Sequence, residues 1–276
     1  MRAIGERPAG ARFLRWMEEV PNEGMIRFPG VFNQDLLLLT NPRTLGEVLV
    51  HKAHDFEKPS GVRDLLRIIL GNGLIVTEGD VHKFQRRHII PSFRLRHIKE
   101  LFPIFWSKAS ELKERIAEDL MQKSNEDQVV EINGWANKVT IDVIGLATMG
   151  RNFNTLHHSG DELVRDYEEI LEPTTEKALY FLVHIIFPRW FIAMWPWKLN
   201  KRLRETTSSL RHVCIQLVKD KKALLKQDNE NQVDILSLLI KSNDFSDEML
   251  VDQLLTFLAA GYVFTSSIFP AIHRPR

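Results

Sequence analysis

Residues 246–261 read SDEMLVDQLLTFLAAG, a run that opens with helix-start chemistry and closes in small residues. Ser246 can cap the first turn, Asp247 and Glu248 suit its positive end, and Phe245 can pack on Leu250 as a hydrophobic staple. The apolar side then narrows to Leu258-Ala259-Ala260-Gly261. Small residues inside a helix let a flat cofactor lie against the backbone. Close helix packing, or a helix C-terminus at Gly261, accounts for the same residues on spacing alone.

Most of the chain upstream repeats a helical period. Asp161–Ala178 and Lys198–Gln227 read as long helices, Val233–Lys241 as a short one, and Asn133–Gly150 as a largely buried one. Leu95–Gln122 is a long amphipathic stretch with Pro103 as a kink or boundary near its start, and Asn125–Gln128 and Asp228–Gln232 are polar linkers. Gly61–Leu70 is helical until Gly71 and Gly73 break it, and a further helix runs from Gly79-Asp80 to Pro91. Strand character is confined to Met25–Phe28 and Asp35–Thr40, a short hairpin followed by a helix that Asn41 can cap and Pro42 can open. The fold class expected is mainly α with a small β element near the N-terminus.

The totals narrow the function classes. Lys and Arg number 37 against 36 Asp and Glu, so no global field recruits nucleic acid, and partners must be found at local sites. A single cysteine, Cys214, excludes an internal disulfide framework and a cysteine-cluster metal site. Residues 1–16 are basic and broken by Pro8 and Gly10, with no apolar stretch of the length a signal peptide or a spanning helix needs.

A second constellation is Gly79-Asp80-Val81-His82-Lys83-Phe84-Gln85-Arg86-Arg87, followed by Pro91-Ser92-Phe93. On a helix His82 and Arg86 stand one turn apart on one face and can reach a single anion. A carboxylate-bearing ligand suits a guanidinium beside an imidazole. A solvated basic helix face is the alternative on spacing alone.

Together, G-x-x-H-x-x-x-R-R with P-x-F downstream and then F-L-A-A-G on a long helix resemble the cytochrome P-450 family of haem-thiolate monooxygenases, in particular its fungal members. The resemblance also takes in Ile26-Arg27-Phe28, Gly73-Leu74 before Gly79, and the acid-rich start of the last helix. It runs from about Phe13 to Gly261 and looks like the N-terminal part of the fold, cut within the oxygen-binding helix. It implies haem as cofactor, with His82 and Arg86 on a propionate and His82 standing where many relatives carry tryptophan. Ala260 and Gly261 would lie over the oxygen-binding face. It further implies an apolar small-molecule substrate, an electron-donating reductase and the endoplasmic reticulum membrane, although the family's usual N-terminal anchor is missing. The aromatic stretch Leu179–Trp197 would fall between two helices that, in the family, roof the substrate channel and often touch the membrane; core packing of a loop explains it as well.

The pattern breaks after Gly261. The family continues with an acid and an alcohol that help deliver protons, where this chain has Val263 and Phe264; Thr265 could substitute only after a shift of helix register. The family's later E-x-x-R helix and cysteine loop are not recognisable, since the only E-x-x-R is Glu162 to Arg165, upstream of the last helix. Cys214 has Thr207, Leu210 and Gln216 where that loop needs phenylalanine and two glycines, which makes it a small core residue rather than an iron ligand. Residues 1–261 are therefore read as a partial domain and 262–276, with Pro270 and Pro275, as a tail outside the family pattern. An unspliced intron is one source of such a tail. The functional expectation is a haem-dependent monooxygenase of which this chain is an inactive fragment, the alternative being a non-catalytic helical binding protein.

Overall fold

The computed structural model describes residues 10–30, 33–122, 130–157, 160–171, 174–187, 194, 198–227 and 234–272, the last eleven of them as helical backbone only. Two compact units emerge, Met1–Pro59 and Ser60–Arg276.

In the first unit, α1 (Ala11–Glu19) is followed by the expected hairpin, β1 (Met25–Pro29) pairing antiparallel with β2 (Asp35–Leu39), Ile26 opposite Leu38. Phe28 sits against the rings of Trp16 and Phe13 at 5.3 and 5.9 Å, which fixes α1 on the hairpin. Asn41 Oδ1 accepts from the Thr44 amide at 2.8 Å and starts α2 (Pro42–Gly46), which runs on into a wide turn, Glu47–His51.

The second unit has no strand among its described residues, only helices and the loops that join them. It comprises α3 (Ser60–Leu70), α4 (Gly79–Ile89) with a tight turn at Ile90–Phe93, α5 (Leu95–Glu100), α6 (Phe102–Gln122) and α7 (Ile132–Ile144). Then come α8 (Glu162–Leu171), α9 (Thr175–Ile186), α10 (Lys198–Lys226), α11 (Ile235–Ser242) and α12 (Asp247–Ile272). The last of these is the axis of the unit: residues 251–259 are all buried, and the helix packs on α7, α10, α3 and α11. Ser246 caps it through a 3.3 Å bond from the Met249 amide, and Phe245 and Leu250 both enter the core.

Two expectations fail. Asp161–Ala178 is not one helix, because Thr174 takes an extended backbone and its hydroxyl accepts from the Lys177 amide, starting α9 anew. Residues 179–186, read as part of a connecting segment, therefore continue a helix, while 188–193 and 195–197 lie outside the described residues. Nor does α12 end at Gly261. Its backbone stays helical past Pro270 to Ile272.

Burial of charge also shapes this unit. Lys108 of α6, 4% exposed, places its ammonium 2.8 Å from Glu111 and 3.2 Å from Asp142 of α7, a residue with no exposed surface. Asp142 also accepts from the Thr155 amide and hydroxyl at 2.8 and 3.0 Å, so it secures the loop after α7 as well. Replacing Lys108 with methionine keeps the aliphatic stem and strands the carboxylate. The expected cost is about 3–5 kcal/mol, read as a lower urea midpoint at unchanged slope. An unchanged midpoint would mean that Thr155 alone satisfies Asp142.

Candidate cofactor site

The helix α4 starts at Gly79, whose φ of +58° lets the chain turn in without strain. Glu78, at the cap position, spends its carboxylate on Arg63 of α3 rather than on the helix start. His82 and Arg86 follow one turn apart, the imidazole half-buried and the guanidinium exposed. Gln85 and Ile89 form the buried side of the same helix.

Gln85 is 1% exposed, and both of its polar atoms are engaged by the loop that precedes α4. Its Nε2 donates to the Asn72 carbonyl at 2.9 Å, and its Oε1 accepts from the Thr77 hydroxyl at 3.1 Å. That loop is held in turn by consecutive side chains of α12. Asp252 Oδ2 accepts from the Asn72 amide at 2.9 Å, and Gln253 Oε1 from the Leu74 amide at 3.2 Å. The other oxygen of Asp252 receives Arg211 of α10 at 2.6 Å. Gly71 and Gly73, visible in the sequence as helix breakers, permit this approach: a β-carbon on Gly73 would strike Thr256 and come within 2.6 Å of the Asp252 carbonyl.

Downstream of α4, Phe93 meets Phe257 of α12 edge-on at 5.7 Å. Phe257 is one turn before Ala260 and Gly261, so the P-x-F segment reaches the small-residue stretch. Ala260 and Gly261 are half-buried, and a β-carbon on Gly261 would run into Ile144 of α7. Of the two ligand-free explanations for Gly261, close packing therefore holds and helix termination does not. At 263–265 the backbone remains α-helical, without the register shift that Thr265 would need, and the side chains of Val263 and Phe264 lie outside the description.

The Arg86 guanidinium and the His82 imidazole, one turn apart on α4, are donors of the kind the carboxylates of a haem would need. The iron side of such a site has no candidate in Cys214, which is wholly buried in α10 within the core, where desolvation pushes its thiol up to about 12 despite Arg211 and Arg151 nearby. Among the described residues no group of three or more His, Cys, Asp or Glu could hold a metal ion, and no helix is long and apolar enough to cross a membrane. Sequence spacing placed His82 and Arg86 one turn apart on a helix, as the structure has them, but did not single out Asp252, Gln253 or Gln85. The available signal was the Asp252-Gln253 pair interrupting an otherwise apolar helix.

A small N-terminal hairpin and a helical body built around one buried helix define a mainly α protein with the N-terminal architecture of a haem monooxygenase. The chain belongs to the cytochrome P450 family, whose model matches residues 28–269. It is 36% identical over 255 residues to the cytochrome P450 monooxygenase sphH of Aspergillus fumigatus, covering 91% of this chain and 47% of the relative. It is 33% identical to the cytochrome P450 monooxygenase ptmK of Penicillium ochrochloron, covering 95% and 52%. To the cytochrome P450 monooxygenase FUM15 of Gibberella moniliformis it is also 33% identical, covering 97% and 46%. The chain thus spans about half the length of the curated relatives it matches.

Burial of Cys214 makes a prediction with a definite sign. The folded thiol ionises above its ordinary 9.0, so its contribution to stability is complete below that pH and is lost as pH rises toward about 12. Thiol reagents at pH 8 are expected to label the chain only after urea unfolding. Removing the thiol with Cys214→Ala should flatten the fall in urea midpoint between about pH 8 and about pH 10. Prompt labelling of the native chain would contradict both.

Proposed function

We propose that these residues are the N-terminal part of a monooxygenase that inserts one oxygen atom of O2 into an apolar organic substrate, with electrons from a reductase. Haem supplies the redox chemistry when bound. Within this chain His82 and Arg86 hold a haem carboxylate, and Ala260 bounds the cofactor face of α12. Gly261 serves helix packing, because Ile144 occupies the direction a side chain would take. Ala260, about 100° further around the helix, is left for the cofactor. Residues 1–261 form the partial family domain and 262–276 its divergent tail, which departs from the family's acid and alcohol at Val263 and Phe264 although the family match runs on to residue 269. Exposed Leu179 and Phe181 on α9, with Phe187 just after it, support membrane contact through 179–197. With Cys214 sealed in the core and Val263 and Phe264 at the acid and alcohol positions, these residues by themselves do not turn over substrate.

The observation that carries the proposal is the His82 and Arg86 pair one turn apart on α4, in a chain whose family is established. Ferric haem and haem dimethyl ester, which lacks the carboxylates, separate anchoring from apolar binding in a Soret titration. Arg86→Ala is expected to weaken haem about 10-fold or more while leaving the ester unchanged, the scale of a hydrogen bond to a charged group. Equal weakening of both ligands, or no saturable change with haem, would refute carboxylate anchoring here.

A further inference from the structure

We infer that Gln85 is a positioning residue that holds His82 and Arg86 in a fixed orientation on α12 through the 71–77 loop. This rests on the carboxylate-anchoring role proposed for those two residues. Gln85 touches no candidate ligand position; its side chain is buried on the inward side of α4. Both of its hydrogen bonds end on the loop, at the Asn72 carbonyl and the Thr77 hydroxyl. The same loop gives its Asn72 and Leu74 amides to Asp252 and Gln253. Asn72 is therefore gripped from both sides, its carbonyl by α4 and its amide by α12.

Apolar packing is non-directional and tolerates small rotations of a helix. A primary amide bonded at both ends does not, because hydrogen bonds weaken steeply with angle. The consequence is felt at the exposed tip of Arg86. With side chains the helix has a radius of roughly 5–6 Å, so a rotation of about 20° displaces that tip by roughly 2 Å, enough to lose a hydrogen bond. If filling space were the only role at position 85, an apolar residue of similar volume would serve without the cost of burying an amide.

Soret titrations with ferric haem and its dimethyl ester, on the chain and on Gln85→Met, Arg86→Ala and the double variant, test this. Methionine keeps the length of glutamine and removes both bonds. Gln85→Met is expected to cut the preference for haem over ester about threefold to tenfold, and by a clearly smaller factor, through His82 alone, once Arg86 is alanine. Equal loss of both ligands would make Gln85 merely structural and overturn the inference while leaving carboxylate anchoring intact. An effect that adds fully to that of Arg86→Ala would overturn it too. If Arg86→Ala leaves the preference unchanged, or the chain takes up no haem, the anchoring role itself fails and the inference with it. Thr77→Val removes the hydroxyl that Gln85 Oε1 shares with the Gly73 carbonyl and keeps the side chain's volume, guarding against misfolding of Gln85→Met. It should move the preference the same way by a smaller factor, and an unchanged preference would count against the inference.

Discussion

The carboxylate of Asp252 is the constraint on which the helical unit depends. It sits on α12, whose residues 251–259 are all buried, and burying a carboxylate costs several kcal/mol unless its lone pairs are engaged. Here they are engaged from two directions, by the guanidinium of Arg211 and by the Asn72 amide. A single side chain thereby ties α12 to α10 and to the loop between α3 and α4. The glycines at 71 and 73 follow from it, since any side chain there would push the loop off the helix that holds it.

Asp142 and Asp234 repeat the device. Asp234 accepts from the Ser237 amide and hydroxyl at 2.9 and 2.8 Å and from Lys221 of α10 at 2.9 Å, so it caps α11 and docks it in one step. Gly150, with φ +67°, ends the α7 segment where a β-carbon would come within 2.6 Å of the Lys221 ammonium. In each case an apolar surface brings helices together, and one buried aspartate selects the depth and register at which they stop. Leu and Val side chains alone allow neighbouring registers at little cost; an ion pair with a fixed loop amide does not.

These relations explain what was legible in the sequence. Local chemistry was: the Asn41 and Ser246 caps, the hairpin and the helix from Gly79 could be read because each is decided within a few residues. The one-turn spacing of His82 and Arg86 belongs to the same class. Non-local chemistry was not. Lys108 looks like any solvated lysine on an amphipathic helix, and only the distant Asp142 makes it a core residue. Gln85 is one polar residue among many in GDVHKFQRRH, and its burial is set by a loop that α12, far along the chain, holds in place. The break between α8 and α9 was itself local, marked by Pro173 and by the Thr174 cap, and both signals went unread.

The division of labour on α12 follows from where its neighbours lie. Its first half carries the polar anchors, Asp252 and Gln253, which hold the loop that positions α4. Phe257, a turn later, receives Phe93, so both ends of α4 are referred to the same helix. Gly261 then lets α7 approach to backbone distance through Ile144. Between the Phe257 contact and the Ile144 contact, Ala260 is half-buried among residues that are otherwise committed to neighbours. A helix fixed by directional bonds in its first half and by close packing in its second holds that short, small-residue surface in a defined relation to α4. Redesigning the anchors as apolar contacts could keep the core filled, yet it would surrender the orientation that relates those two elements.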